Sequence, residues 1–463
     1  MDTDIKHYAA RSREIIREDP GVRESVTGAT IAFDEKRRQG YAEVDADAWR
    51  RWAEGVKNHT LTHLDRYLAE AEEQLLANGA RVHWAADAAE ARDVVAGLAA
   101  RRGVGSVVKG KSMVTEEIDL NPVLEAAGIE VFETDLGEYI LQLLDEPPSH
   151  ILGPALHKSL EQVRELFAER LGTARDGDPD TLAGAAREVL RDAFIHADMG
   201  ITGGNFLVAE TGTVALIENE GNIRLTTSLP RVHVAVVGIE KLLPRMTDLA
   251  GFLQLTARAA TGQPIGCFVS LIQGPAADPG DDGPEEVHVV LVDNGRTDLL
   301  AHEHAWETLR CVRCGACLNA CPVYRQTGGH AYGHVYSGPI GSVLDPGLVG
   351  LHEAMPLPFA SSLCGACQDA CPVRIPIPEL LLEWRREAQE AGLTPWKERT
   401  VLAGLAGVAS RPGLYRLTGK IGSRLGAMGA ARMLPMLGEW SKDRALPRPS
   451  PRTFRDLWRE GIE

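Results

Sequence analysis

Two cysteine-rich runs constrain the fold of this chain more than any other feature. The first run, residues 311–322, has the sequence CVRCGACLNACP, which is the pattern C-x2-C-x2-C-x3-C-P. The second run, residues 361–372, has the sequence SSLCGACQDACP and repeats the first at an offset of 50 residues. Seven of the eight cysteines lie in these runs. Such clustering in a long chain is typical of a metal site rather than of a disulfide framework.

The spacing indicates iron–sulfur chemistry. Gaps of two residues let one tight loop place three thiolates around a [4Fe–4S] cube, while the fourth cysteine of the run serves a second cluster. This cross-over predicts Cys311, Cys314, Cys317 and Cys371 as ligands of a first cluster, and Cys321, Cys364 and Cys367 as ligands of a second. Structural zinc is the rival interpretation, but zinc closes with four ligands from paired C-x2-C knuckles, which explains neither the x3 step nor the trailing proline. Two neighbouring clusters imply electron transfer.

The second cluster is one thiolate short. Ser361 occupies the position that aligns with Cys311, and a hydroxyl is a poor iron ligand. The second site could hold [3Fe–4S], or a [4Fe–4S] cube completed by a nonthiolate ligand or by a neighbouring subunit. Four polar residues nearby are expected to be ordinary loop residues: His330, His334, His352 and Asp369. The eighth cysteine, Cys267, is expected to be a small buried residue in an apolar strand.

Composition and charge exclude several classes of protein. The 463 residues carry 49 Lys and Arg against 65 Asp and Glu, a net charge of -16, which argues against nucleic acid as the principal partner. No stretch approaches the roughly 18 uncharged apolar residues of a membrane span. The first residues show neither a secretory nor a twin-arginine signal. We therefore expect a cytoplasmic protein with reduced thiols.

The pattern of apolar residues predicts four regions. Residues 1–67 have helical periodicity, residues 68–300 alternate short β-rich runs with helical segments as in an α/β domain with a largely parallel sheet, residues 301–390 hold the cysteines, and residues 391–463 form a tail. Strands are predicted at 80–84, 104–108, 129–132, 212–218, 232–237, 267–272 and 286–292. Helices are predicted at 86–100, 158–170, 181–196 and 247–259.

The tail is basic on an otherwise acidic chain, since residues 395–463 hold 13 Lys and Arg against 6 Asp and Glu. Apolar residues recur there at helical spacing: Leu414, Leu417, Ile421, Leu425, Met428 and Met433. An amphipathic basic helix that packs back on the acidic body is expected, and docking on a partner or peripheral contact with anionic lipid is the alternative.

Residues 105–112, with the sequence GSVVKGKS, match the phosphate-loop sequence pattern G-x4-G-K-S, but they do not favour the loop conformation that phosphate binding requires. Ser106 to Val108 continue a β-branched strand where a phosphate loop needs a turn, so nucleotide hydrolysis is not expected. Lys109, Lys111 and Ser112 follow a strand and could meet an anionic ligand, or the lysines could simply cover a surface. No G-x-G-x-x-G follows a first strand, so no dinucleotide site is predicted.

A second polar concentration lies at residues 210–224. Several side chains there flank a strand and a turn and could line a ligand pocket: Glu210, Glu218, Glu220, Asn222 and Arg224. Turn chemistry alone explains Asn219 and Gly221. The composition of this segment does not decide between the two interpretations.

Several long motifs in order carry a family resemblance. They are KGKSMVTEEIDLN (109–121), ETDLGEYILQL (133–143), PSHILGPALHK (148–158), GITGGNFLVAETGTVALIENEGN (200–222), HVAVVGIEKLLP (233–244), TPWKERT (394–400) and the double cysteine run. Together they resemble the lactate utilization protein B family of iron–sulfur proteins over nearly the whole chain. The resemblance implies an α/β LUD domain similar to the CoA-transferase and sugar-isomerase fold, followed by a helical ferredoxin-type domain with two clusters.

The resemblance also implies a function. It points to an electron-carrying subunit that acts with two companion proteins in oxidising L-lactate to pyruvate. A second cluster with three cysteines is this family's own pattern and is usually taken as [4Fe–4S], so Ser361 is no departure from it.

Two other functions stay open at this point, and no catalytic residue is assigned. The chain could be a self-sufficient 2-hydroxy-acid oxidoreductase whose α/β domain binds a small acid with Lys111, Glu210 or Arg224. It could also be a redox-sensing scaffold that recruits partners through its basic tail. No flavin or nicotinamide motif supplies an electron acceptor at the substrate carbon, which favours the electron-carrying subunit.

Overall fold

The computed structural model describes residues 5–278, 280–427 and 450–461. The chain divides into two units, Met1–Ala388 and Gln389–Glu463. The first unit contains both the α/β region and the two cysteine runs. The domain boundaries predicted inside this unit remain predictions.

The helices and strands are numbered in chain order. Helices up to the cysteine runs are α1 Tyr8–Glu18, α2 Pro20–Ala42, α3 Ala46–Thr62, α4 Leu64–Ala77, α5 Ala88–Arg102, α6 Met113–Glu117, α7 Leu120–Ala126, α8 Leu136–Leu144, α9 Leu160–Leu171, α10 Pro179–His196, α11 Asn222–Ser228, α12 Met246–Thr261 and α13 Arg296–Leu300. The helices that follow are α14 Ala316–Ala320, α15 Tyr324–Thr327, α16 Gly338–Leu348, α17 Leu351–Ala354, α18 Ala366–Ala370, α19 Ile377–Glu390, α20 Trp396–Ala409, α21 Pro412–Ala427 and α22 Phe454–Arg459. The strands are β1 Arg81–Ala85, β2 Ser106–Lys109, β3 Glu130–Glu133, β4 Met199–Thr202, β5 Phe206–Val208, β6 Thr213–Glu218, β7 Val232–Gly238, β8 Leu242–Leu243, β9 Phe268–Ile272 and β10 Glu286–Val292.

A six-stranded parallel sheet forms the centre of the α/β region. Its strand order is β1-β10-β7-β4-β2-β3, and every neighbouring pair is parallel. The central strands β7 and β10 are nearly continuous apolar runs because both faces of a parallel sheet are covered. Val95 of α5 and Leu75 of α4 belong to separate buried clusters that include residues of these strands. The predicted α/β class, followed by a helical cysteine region, is confirmed.

A second, four-stranded sheet was not predicted. Its order is β8-β5-β6-β9, with β6 antiparallel to β5 and to β9. The seven predicted strands are all present, with bounds that differ by at most two residues, but two of them, β6 and β9, belong to this sheet. Strands β5 and β8 escaped prediction because they have only three and two residues, too few to show a period, and the four-residue β4 contains Gly200, which is unfavourable in a strand.

The expectation that Cys267 is buried is wrong. Its side chain is exposed, and its backbone N–H donates to Asn219 Oδ1 at 2.9 Å. The residue directly precedes β9, which is an edge strand whose side chains are all exposed or half-buried. An edge position on a small sheet leaves one flank open to solvent, whatever the apolar character of the strand.

The N-terminal helices join the α/β region to the cysteine region. Helix α2 packs against α12 on one side and against α14 and α15 on the other. Thr27 Oγ1 donates to the carbonyl of Arg325 at 2.9 Å, and Arg50 Nε donates to the carbonyl of Cys371 at 2.8 Å. The sequence predicts these helices but assigns them no role, since long-range contacts leave no local pattern.

The second unit contains α20, α21 and α22, and α20 packs against α21. Leu414, Leu417 and Ile421 lie on α21 and are exposed. Met428 and Met433 of the predicted amphipathic pattern lie outside the described residues. In the part of the chain that the structure describes, no helix has the length and apolar character that a bilayer span requires.

A buried histidine in the parallel sheet makes stability depend on pH. His233 of β7 is fully buried, and its Nε2 lies 2.8 Å from Thr202 Oγ1. Burial, with the nearby charge of His288, lowers the pKa of His233 from 6.5 to about 4. Because the folded pKa lies below the unfolded one, this stabilisation is present above about pH 6.5 and is lost as the pH falls through about 4.

We predict that replacing His233 removes this pH dependence. The free energy of unfolding of the wild type should fall relative to that of His233→Gln by about 2 kcal/mol between about pH 7.5 and about pH 5, measured by urea unfolding of both proteins. A constant difference between the two proteins across this range would contradict the assignment.

Candidate functional site

The two cysteine runs share one backbone conformation. Arg313 and Leu363 occupy equivalent positions and have φ values of 57° and 54°, a conformation that few residues other than glycine adopt. Gly315 and Gly365 follow with φ values of 72° and 84°, and each opens a five-residue helix, α14 or α18. The sequence repeat is therefore a structural repeat of two tight loops.

We call Cys311, Cys314, Cys317 and Cys371 the first thiol group and Cys321, Cys364 and Cys367 the second, following the predicted cross-over. Charge on Cys311 raises the pKa of Cys314, Cys317 and Cys371, which places the thiol of Cys371 with the three thiols of the first run. Charge on Cys364 raises the pKa of Cys321 and Cys367, and charge on Cys367 raises that of Cys317, so thiols of the two runs lie near one another. The assignment of each cysteine to a cluster stays a prediction.

Burial makes these thiols poor anions unless a metal binds them. It is the largest cause of the raised pKa of five of them: Cys314, Cys317, Cys321, Cys367 and Cys371. Cys311, Cys314, Cys317 and Cys371 also line one cavity, whose other walls include Ile151, Val312, Ile340 and Ile375. Four soft sulfur donors around an apolar cavity suit an iron–sulfur cluster, which binds thiolates and lowers the cost of their burial.

Backbone amides face several of the sulfurs. The N–H groups of Arg313, Tyr324 and Ile375 donate to the Sγ atoms of Cys311, Cys321 and Cys371 at 3.4, 3.5 and 3.4 Å. Hydrogen bonds of this kind favour the thiolate form, and those to cluster sulfurs raise the reduction potential.

Ser361 stands in the place of a fourth thiol. Its Oγ accepts from the N–H of Leu363 at 3.1 Å, as Cys311 Sγ accepts from the N–H of Arg313. The second group is also the more accessible one, because Cys364 is exposed.

The nearby histidines have other partners. His330 Nε2 lies 2.8 Å from the carbonyl of Pro147, His334 Nδ1 lies 2.9 Å from Asp345, and His352 pairs with Glu353. Asp369 is exposed.

Buried cations surround the first thiol group. The Arg313 guanidinium lies over the ring of Tyr336, 4.4 Å from its centroid, with Nη2 3.5 Å from Glu240 Oε1. Lys57 donates to the carbonyl of Glu240 at 2.5 Å. Burial lowers the pKa of Lys57 to about 7, and burial together with the Arg313 charge lowers the pKa of Lys241 to about 8. Their charges favour the anionic thiolates nearby.

A second cavity of about 260 Å³ adjoins the first at the carboxyl ends of β2, β4 and β7. Arg313 and Ile151 line both cavities. The second is also lined by residues that the sequence singled out as possible ligand contacts: Lys111, Ser112, Glu218, Glu220 and Asn222. The carboxyl edge of a parallel sheet is where open α/β folds bind small molecules.

Other candidates from the sequence lie elsewhere. Lys109 is fully buried between Glu116 and Glu133, at 2.8 and 2.9 Å, so it neither covers a surface nor lines this cavity. Glu210 accepts from the N–H of Met246 at 2.8 Å and caps α12. Neither Glu210 nor Arg224 is among the residues that line the cavity.

Sequence reasoning missed Lys57, Lys241 and Arg313. Lys241 follows the apolar run of β7 by three residues, so its position after a central strand was a usable signal. Arg313 lies inside the first cysteine run, where the spacing of the cysteines gives no information about the residues between them. Lys57 lies on α3 and carries no local signal.

Comparison with known proteins gives matches to three family models. Residues 68–292 match the LUD domain, residues 307–375 match the 4Fe-4S dicluster domain, and residues 386–462 match the model called lactate utilisation protein B, C-terminal. The chain is 43% identical over 451 residues to lactate utilization protein B of Bacillus pumilus, covering 96% of this chain and 95% of that protein. It is 44% identical over 453 residues to the protein of the same name from Shouchella clausii, covering 96% and 94%.

Another relative has a different name. The uncharacterized electron transport protein YkgF of Escherichia coli is 41% identical over 470 residues, covering 99% of this chain and 98% of that protein. A crystal structure of a DUF162 family protein from Deinococcus radiodurans covers 50% of this chain and 98% of its own, with 17% identity and a TM-score of 0.26.

A cysteine at position 361 tests whether Ser361 occupies the position of a missing cluster ligand. We predict that Ser361→Cys supplies a fourth thiolate to the second group and raises the iron retained per protein after exposure to air, because a fully ligated cube loses its labile iron less readily. Iron analysis and electron paramagnetic resonance (EPR) would measure it. The matched control is Ser362→Cys, because Ser362 is the next residue in the chain and is exposed. Equal iron retention in the two variants would contradict the assigned position.

Proposed function

Because the chain belongs to the lactate utilization protein B family, as its motifs predict, we propose that it is the iron–sulfur electron-transfer subunit of a complex that oxidises L-lactate to pyruvate. The observation that carries the proposal is that Cys311, Cys314 and Cys317 of the first run line one cavity together with Cys371 of the second run. Cys311, Cys314, Cys317 and Cys371 would hold one [4Fe–4S] cluster, and Cys321, Cys364 and Cys367 a second. When bound, the two clusters supply one-electron transfer in series.

The electron count of the reaction fits two such centres. Oxidation of L-lactate to pyruvate releases two electrons and two protons, and two one-electron carriers can relay the electrons singly. The reaction also needs a base and an electron acceptor at the substrate carbon. The sequence offers no nucleotide or flavin motif for that acceptor, so we place the step at the carbon in a companion subunit.

Differences in accessibility support a direction. Every thiol of the first group is buried or half-buried, and the cations Lys57, Lys241 and Arg313 lie near Cys311, whereas Cys364 of the second group is exposed. Phe359, five residues before Cys364, and Leu382, after it, are also exposed, at 45% and 51%. We propose that an electron-transfer partner approaches the protein at Cys364.

Contacts from outside the cysteine runs hold the two groups in register. Arg50 on α3 donates to the carbonyls of Cys371 at 2.8 Å and Gln368 at 3.0 Å, which fixes the end of the second run. His150 Nε2 lies 3.0 Å from Asn319 Oδ1 on α14, and its Nδ1 accepts from the N–H of Leu152 at 3.0 Å. Both donors come from segments distant in sequence, so the thiol positions depend on the complete first unit.

A second candidate is a self-sufficient 2-hydroxy-acid oxidoreductase. The observation in its favour is the cavity beside the first thiol group, which Lys111 lines. Glu210 and Arg224, the other residues that this hypothesis named, do not line it. The hypothesis therefore rests on fewer residues than the sequence suggested.

The test is visible absorbance of the anaerobically purified protein. We expect L-lactate to bleach the cluster band only when the companion subunits are co-expressed, whereas dithionite bleaches it with or without them. D-lactate serves as the control for specificity.

Two results would contradict the proposal. A preparation without an iron–sulfur band would contradict the assigned cofactor. Failure of L-lactate to bleach the band in the presence of the companions would contradict the coupling to lactate oxidation. Bleaching of the isolated chain by L-lactate would instead establish the self-sufficient enzyme.

A further inference from the structure

The cavity at the carboxyl edge of the parallel sheet has an unusual electrostatic lining. Three cationic side chains contribute to its wall: Lys111, Lys241 and Arg313. Lys111 is paired with Glu138 at 2.8 Å, whereas Lys241 Nζ lies 3.9 Å from Glu240 Oε1. Lys241 is only 6% exposed. A buried ammonium at that distance from its counter-ion keeps capacity for another anion.

Arg313 adds unused hydrogen-bond donors to the same wall. Its side chain is 7% exposed, and within the described residues its Nε and Nη1 have no hydrogen-bond partner. Burying polar groups without partners costs free energy, so such groups are typical of sites that a ligand completes. Because Arg313 lines the thiol cavity as well, its donors can serve either cavity. Lys111 and Lys241 line only the larger one.

The acidic groups in the wall are already engaged by backbone amides. Glu218 accepts from the N–H groups of Ile223 and Arg224 at 2.7 and 2.8 Å. Asp135 accepts from the N–H of Glu138 at 3.0 Å, and Glu220 accepts from the N–H of Leu136 at 3.2 Å. These carboxylates accept from backbone donors, whereas Arg313 Nε and Nη1 have no acceptor within the described residues and Lys241 has a carboxylate only at 3.9 Å, so these two cations have capacity for an anion.

Size and polar lining narrow the class of anion. A volume of about 260 Å³ accommodates a small organic acid, and it falls below the range of about 300 to 1,000 Å³ that is usual for larger ligands. The hydroxyl of Ser112 and the amides of Asn205 and Asn222 also line the cavity, and groups of this kind can hydrogen-bond a second oxygen of the ligand.

We propose that this cavity binds a small 2-hydroxy or 2-oxo carboxylate, with its carboxylate against Lys241 and Arg313. The choice of an acid with an oxygen at C2 rests on the proposed function, whereas the choice of an anion rests on the cavity alone. The site lies against the first thiol group, since Arg313 is situated between Cys311 and Cys314 in the chain and lines both cavities.

The experiment is anaerobic calorimetric titration of the full-length holoprotein with pyruvate and with L-lactate. Propionate, which lacks the oxygen at C2, is the comparison ligand. We expect at least one of the two C2-oxygenated acids to bind at one site per chain and more tightly than propionate. Lys241→Met should weaken that binding by about tenfold or more, because it removes a charged hydrogen-bond donor to the ligand carboxylate.

Two variants make the result specific. Lys241→Arg keeps the charge and should recover part of the affinity. Lys158→Met is the control, since Lys158 is half-buried and paired with Glu146 but does not line the cavity. Iron content and the visible spectrum of each variant verify that the fold and the clusters are intact. With those intact, unchanged affinity in Lys241→Met would overturn the proposal.

Two further outcomes would also overturn it: no binding of pyruvate or L-lactate, or propionate binding as tightly as both. These failures are distinguishable from failure of the proposed function. If L-lactate bleaches a normal cluster band through the companions but no acid binds in the cavity, this inference fails and the electron-transfer role stands. If the protein binds pyruvate but has no iron–sulfur band, the electron-transfer role fails and the acid site stands.

Discussion

The structure depends on the packing of thiols that cannot ionise easily where they lie. Burial raises the pKa of five cysteines, and negative charge on neighbouring thiols raises it further. Metal binding would reverse this penalty because it deprotonates the thiols and joins them, so we expect folding of the region to be coupled to metal loading. Buried cations such as Arg313 and Lys241 lower the cost of the negative charge that the thiolates bring.

This dependence explains why the first unit is built as one body. Helices α2 and α3 reach from the α/β region to both cysteine runs, and Arg50 holds the carbonyl of Cys371. Glu240, at the end of β7, contacts Arg296 at 2.6 Å and Arg313 at 3.5 Å, which ties the sheet to the first cysteine loop. The α/β domain therefore provides both the scaffold for the first thiol group and the cavity beside it.

Local patterns predicted much of this arrangement, and they failed where distant residues decide the structure. The spacing of the cysteines predicted two equivalent loops, because the loop geometry is encoded in a few adjacent residues, and the assignment of each cysteine to a cluster stays a prediction. The long apolar runs predicted β7 and β10. The short strands β5 and β8, and with them the second sheet, have too few residues to show a period. Lys109 lies in a sequence that matches the phosphate-loop pattern, yet carboxylates of β3 and α6 neutralise the charge of its side chain.

The most direct test of the central claim is which cluster each cysteine serves. EPR spectra and iron content of Cys371→Ser, Cys311→Ser and Cys364→Ser, each purified anaerobically with its folded state checked by circular dichroism, would decide it. The cross-over predicts that Cys371→Ser perturbs the same centre as Cys311→Ser, although it lies in the run of Cys364. If Cys371→Ser instead perturbed the same centre as Cys364→Ser, each run would hold its own cluster, and the account of the site would be wrong.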